Sequence, residues 1–393
     1  MSAATTSAGR GPQTRDGRRA GLLRAAEQGL FGFGPAVATV ALFVLQLRVH
    51  AVAFDFQSAY YPAASRVLHG GSPYAVTARA LADGTAFVYP ALSAIVFVPF
   101  ALAPGAAAQL LDMALCLICI PATLWTLNVR DWRLYGLAML WSPVFDAWQT
   151  GNVTLPLVLA VALTWRHRDR PLVAGLLTAA AISIKPFVWP LGLWLLATRR
   201  WRAAGWALLW GVLLNLLAWT VVGFGAIGTY LRLSSQVTAA LWRGGYAVLA
   251  VAGQLGLARG VGEALLLACA LLAAAAVVHL GFVRRDERAA LTATVALMLL
   301  ASPLVWNHYF TLLLVPLALS RPRLSLSWAV GLVMWPLPPR LPVHVWEQAI
   351  AWGAVSLVSA VALRCGRDQA PAPVAAPAAR GAEAPPVPRS VST

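Results

Sequence analysis

The chain has 393 residues, of which 60% are hydrophobic and 11% charged, and its mean hydropathy is +0.71. That composition excludes a soluble globular protein, because too few charged side chains exist to cover a water-facing surface. A formal charge of +16 would point to nucleic acid in a soluble chain, but here the arginines stand at the ends of apolar runs, so no nucleic-acid partner is expected and the charges read as topology signals.

Residues 1–29 carry five Arg before the first apolar run, with no small-residue cleavage site after it, and read as a retained basic cytoplasmic tail. Further clusters follow at Arg130 and Arg133, Arg166 to Arg170, Arg199 to Arg202, Arg284 to Arg288, Arg321 and Arg323, and Arg364 and Arg367. If each cluster lies in the cytoplasm, the chain crosses the membrane twice between successive clusters. This predicts an all-α polytopic domain over 30–367 with twelve transmembrane helices, near 30–50, 106–127, 134–147, 153–165, 171–184, 187–198, 203–222, 262–282, 289–303, 308–320, 325–337 and 343–363. Both termini are then inside, in the plasma membrane. Two apolar segments, 88–103 and 247–258, are left over and are expected at the outer interface.

Several of these spans fall short of the roughly 20 residues a bilayer needs, notably the pairs meeting at Gln149-Thr150-Gly151-Asn152 and at Lys185-Pro186. Short helices border cavities. Residues 368–393 are Pro and Ala rich and read as a disordered cytoplasmic tail. Cys116 and Cys119 share an apolar run, apart from Cys269 and Cys365, so they read as small helix residues rather than a redox or metal pair.

The topology gathers the polar side chains on the outer side. Asp55 comes directly off the first helix, followed by Tyr60, Tyr61 and the turn Gly70-Gly71-Ser72-Pro73. Lys185 is the single Lys beside 29 Arg. It either snorkels to the interface or supplies a compact point charge to a phosphate. His308 belongs to an aromatic belt with Trp306 and Tyr309, or donates to a phosphate or shuttles a proton. Gln149 and Asn152 suit sugar hydroxyls or helix capping. Asp112, Asp146 and Glu263 are further acids near outer ends, and their scatter gives no metal-ligand spacing.

Four stretches in order resemble a known family: DFQSAYYPAASRVLHGGSPY (55–74) with FVYPAL (87–92), QTGN (149–152), AGLLTAAAISIKPFVWPLGLWLLATRRWRA (174–203) and SPLVWNHYFTLLLVPLAL (302–319). The chain is similar to the polyprenol-phosphate-dependent glycosyltransferases of family 87, which include alpha-mannosyltransferases. The resemblance implies a GT-C membrane fold with interfacial helices in the first outer loop. It also implies Asp55 as the catalytic base, and Lys185 and His308 at the donor phosphate. In this chain the amide turn departs from the family's usual GQxN-like form, and Tyr309 stands where a second His is common.

On that basis the expected activity is transfer of a mannosyl residue from a polyprenyl-phosphate donor to an envelope lipid or glycan acceptor, on the outer face, with inversion. No cofactor is required. Tyr60, Tyr61, Tyr89 and Trp306 offer faces for sugar stacking. Arabinofuranosyl transfer fits the residues equally well. A transporter or lipid flippase would share the helix count, but the polar residues lie on one side and no inverted repeat appears. The oligomeric state leaves no signal in the sequence.

Overall fold

The computed structural model describes residues 15–48, 52–75, 77–82, 85–337 and 343–368. All regular structure among them is helical. Among the described residues, five helices are long and apolar enough to cross a membrane: Gly21–Arg48, Gly105–Thr126, Trp201–Val222, Arg259–Val283 and Val345–Arg364. Trp201–Val222 leaves Leu208, Val212, Leu216, Leu217 and Val221 exposed, a surface that lipid tails solvate and water does not.

The remaining expected spans contain helix as well, but in shorter pieces. Thr154–Arg166, Pro171–Ile184 and Pro186–Ala197 are apolar helices below full crossing length. The stretch 134–147 is broken into Arg133–Met139 and Ser142–Gln149, where Trp141 turns extended ahead of the Ser142-Pro143 start. Likewise 308–320 opens as a tight 3-10 turn, Asn307–Leu313, before Leu314–Ser320, and 325–337 divides into Leu326–Ala329 and Val330–Val333. Among the described residues, five of the twelve expected spans therefore have the length of a full crossing. The leftover segments fold as Ala91–Val96 with Val98–Ala101, and as Val248–Gln254, all too short to cross.

At its N-terminal end the first helix begins earlier than expected, with Arg15–Gln28 running through a π-helical turn into Gly34–Arg48. The rest of the expected N-terminal tail, 1–14, and nearly all of the C-terminal one, 369–393, lie outside the described residues.

The arginine clusters meet one another at loops far apart in sequence. Arg168 pairs with Glu287 at 3.0 Å, and Arg200 reaches both Asp169 at 2.9 Å and Glu287 at 2.8 Å. Arg133 reaches Glu27 at 3.2 Å, while Asp131 holds Arg133 at 2.9 Å and accepts from Leu324 N at 2.9 Å. Arg133 accordingly holds the Asp131 carboxyl below the usual range. Interior packing is close: Pro171–Ile184 lies along Trp201–Val222, and a Cβ on Gly175 would come within 2.5 Å of Trp206 Cβ. The buried indoles of Trp141, Trp194 and Trp328 each donate to a carbonyl.

Candidate active site

The turn after Ser142–Gln149 sets the floor of the site. Gly151 adopts φ +63°, the left-handed region open to glycine, and a Cβ there would collide with Asp112 Oδ2 and stand 2.9 Å from Phe56 Cβ. The chain can therefore reverse directly beneath the segment carrying Asp55. Main-chain bonds lock the two together, from Ala53 N to Gln149 O at 2.5 Å and from Asp55 N to Thr150 O at 2.9 Å.

Asn152 then connects the floor to the acid. Its Nδ2 donates to Asp55 Oδ2 at 2.5 Å, while its Oδ1 accepts from Thr154 N at 2.9 Å and from Thr154 Oγ1 at 2.6 Å. This amide has one possible orientation, because reversing it would set oxygen against carboxylate and nitrogen against N–H. Capping and contact with the acid, alternatives in the sequence, are performed by one side chain.

Lys185 continues the series. It is extended at the junction of Pro171–Ile184 and the turn Pro186–Val188 and only 3% exposed. Its Nζ donates to Thr154 Oγ1 at 3.4 Å and sits 4.2 Å from the centre of the Tyr309 ring, with Phe187 and Tyr89 beyond. Lys185, Thr154, Asn152 and Asp55 thus form one line of donors ending at the carboxylate.

Across the site, Ser142–Gln149 is fastened to Asn307–Leu313. Asn307 Nδ2 donates to Ser142 Oγ at 3.0 Å and Thr311 Oγ1 donates to Pro143 O at 2.9 Å. Between those ties His308 Nδ1 stands 3.4 Å from Asp146 Oδ2, both residues buried.

These elements enclose a cavity of about 600 Å³ whose lining includes Asp55, Tyr89, Asn152, Lys185, Trp306 and His308. The loop after the first helix, the Gln149-to-Asn152 turn, the Lys185-Pro186 junction and the Trp306-to-Tyr309 stretch, all expected on the outer side, contribute to it. Tyr60, Tyr61 and Gln149 do not line it. Tyr60 is buried, stacked on Phe97 at 4.7 Å behind Tyr89, and the Tyr61 hydroxyl donates to Ala103 O at 3.2 Å. Gln149 contributes its main chain to the floor and is itself buried. Burial, with the charge of Asp55 adding to it, pushes the Tyr89 phenol up.

Two features escaped the sequence reading. One is the pairing of Asp146 with His308, which no local spacing signals. The other is helix Ala226–Leu241, which falls between the expected spans 203–222 and 262–282. It lines the cavity with Tyr230, Ser234, Val237, Thr238 and Leu241, a stripe whose helical spacing was present in the sequence.

The sequence profile of glycosyltransferase family 87 matches residues 87–303, just over half of the chain. The chain belongs to glycosyltransferase family 87. It is a membrane glycosyltransferase, and no curated protein and no solved structure matches it beyond that family assignment. The matched stretch of this family 87 chain holds Tyr89, Asn152 and Lys185, whereas Asp55 and His308 lie outside it and join the site through the contacts described above.

Proposed function

We propose that the cavity transfers a mannosyl residue from a polyprenyl-phosphate donor to an envelope lipid or glycan acceptor at the outer face of the plasma membrane. The observation that carries this reading is the carboxylate of Asp55 held at the cavity wall by Asn152, with Lys185 and His308 lining the same space. Family membership favours transfer over transport. A donor anchored by its lipid tail needs no nucleotide-binding fold and no cofactor, only sites for phosphate and sugar.

In this reading Asp55 accepts the proton of the acceptor hydroxyl as its oxygen attacks the anomeric carbon from the side opposite the phosphate. The bond from that carbon to the phosphate oxygen breaks, and the negative charge developing on the phosphate is met by Lys185 and His308. One carboxylate is sufficient, because a phosphate leaves without a proton donor, and inversion follows from the single displacement. Tyr89 and Trp306 present aromatic faces to the sugars. The basic N-terminal tail, the membrane domain over 30–367 and the C-terminal tail follow the topology set by the arginines, with both termini inside.

The experiment is to incubate purified protein with polyprenyl-phosphate-mannose and, separately, with the corresponding arabinose donor, each with envelope lipid acceptors. Consumption of the mannose donor is expected. Consumption of the arabinose donor alone would replace the sugar in this reading, and turnover of neither would remove the polyprenyl-phosphate donor class.

A further inference from the structure

The cavity contains a second carboxylate that the reaction above does not use. Asp146 lines it from helix Ser142–Gln149, is 6% exposed, and stands with Oδ2 3.4 Å from His308 Nδ1. A carboxylate removed from water needs a compensating positive group, and His308 is the basic side chain within ion-pair distance of it. The placement is fixed on both sides of the pair, by Asn307 on Ser142 and by Thr311 on Pro143.

We infer that Asp146 is a positioning residue for cleavage of the donor, acting through His308. Facing Nδ1, its carboxylate holds the imidazole with that proton directed toward Asp146, which leaves Nε2 for the substrate. A neutral ring in this orientation would point a lone pair at a phosphate oxygen, whereas a ring carrying both protons presents an N–H there with Asp146 as its counter-charge on the Nδ1 side. That N–H then donates to the phosphate oxygen as the anomeric bond breaks, and no proton is transferred in the step. The two carboxylates of the cavity thus divide the work, Asp55 taking the acceptor proton and Asp146 steadying the leaving-group donor. This inference rests on the phosphate role proposed for His308.

The test uses the purified full-length enzyme with its lipid-linked donor. Asp146→Asn keeps an oxygen toward Nδ1 but removes the charge, and should lower kcat by about 10- to 100-fold with donor KM changed less than about threefold. Asp146→Glu, which keeps the charge, should recover part of the loss. Combined with His308→Gln, Asp146→Asn should add less than about a threefold further loss, since its effect runs through the missing imidazole. Wild-type turnover in Asp146→Asn, or losses that multiply in the double variant, overturns the inference. Should the Asn variant fail to purify folded, the Glu variant carries the same comparison: a kcat loss that vanishes on the His308→Gln background supports the inference, and one that persists overturns it. Wild-type turnover in His308→Gln removes the phosphate role itself, an outcome separate from a slow His308→Gln whose loss multiplies with that of Asp146.

Discussion

Asn152 and Asp55 are joined by a 2.5 Å hydrogen bond across 97 positions of sequence, and the oxygen of the same amide is occupied by Thr154 N and Oγ1. With both ends of the amide committed, Asn152 cannot turn, and one oxygen of Asp55 is fixed while the other remains for substrate. Asn152→Ala should therefore lower kcat by about 10-fold or more with little change in KM, the pattern of an interaction that matters in the transition state. Asn152→Asp should be slower still, because it sets a second carboxylate against the first. Steady-state kinetics of both variants, with thermal melting in detergent as the folding control, decide it. Wild-type kcat in Asn152→Ala would mean that Asp55 needs no such hold.

Asp55 itself is the simplest test of the chemistry. Asp55→Asn fills the same space and can still meet Asn152 through its oxygen, but it cannot take up the acceptor proton. Turnover should fall by about 10²-fold or more, the scale for loss of a general base. The variant should melt close to the wild type. Substantial activity would transfer the role to Asp146, the other acid in the cavity.

Much of the site was legible because charge is scarce in this chain. An Asp, a single Lys and a His at the ends of apolar runs stand out, and the structure brings Asp55, Lys185 and His308 into one cavity. Helix identity was legible too, since lipid leaves the backbone few alternatives. What could not be read was how short pieces pack. Tyr60 and Tyr61 adjoin Asp55 in sequence, yet helical periodicity turns them into the packing behind Tyr89 and toward Ala103. Asp146 and His308 meet only because Ser142–Gln149 and Asn307–Leu313 lie side by side, a tertiary fact with no local trace. Counting crossings from arginines likewise gave 134–147 a single span, although the chain breaks there and the proline-led helix Ser142–Gln149 stops after two turns.

Gly151 tests the floor of the site. Gly151→Ala asks an L-residue to hold φ +63° and drives a methyl group into Asp112 and Phe56. The backbone term alone is about 1 kcal/mol, and the clash adds to it. The expected result is a lowered melting temperature together with loss of transfer, because Asp55 hangs from this turn through Thr150 O. An alanine variant with wild-type melting and turnover would show that the turn tolerates another conformation.

Topology can be checked directly. In a background without the native cysteines, Ser72→Cys, exposed in the first loop, should react with an impermeant thiol reagent added to intact cells, and Arg202→Cys, exposed among the clustered arginines, should react only after the membrane is opened. The reverse pattern would place the cavity on the cytoplasmic side and return nucleotide sugars to consideration as donors.

Lys185 offers the sharpest choice between a structural and a chemical role. Its ammonium is buried among Tyr89, Phe187 and Tyr309, with Thr154 as its hydrogen-bond partner, and still lines the cavity. A compact ammonium and a planar guanidinium meet such a ring of aromatic faces and one hydroxyl differently, so a role in the site distinguishes Lys from Arg in a way that simple snorkelling does not. If the charge meets the donor phosphate, Lys185→Ala should raise the donor KM and lower kcat together, and Lys185→Arg should recover only part of both. If Lys185 only completes the line of donors through Thr154 and Asn152 to Asp55, donor KM should hold in both variants while kcat falls, since the effect then reaches the acceptor's base rather than the donor. Full activity in Lys185→Arg, with less than about a twofold effect of Lys185→Ala, would leave the residue no part in either step, because a side chain that contacts ground state and transition state alike does not change turnover.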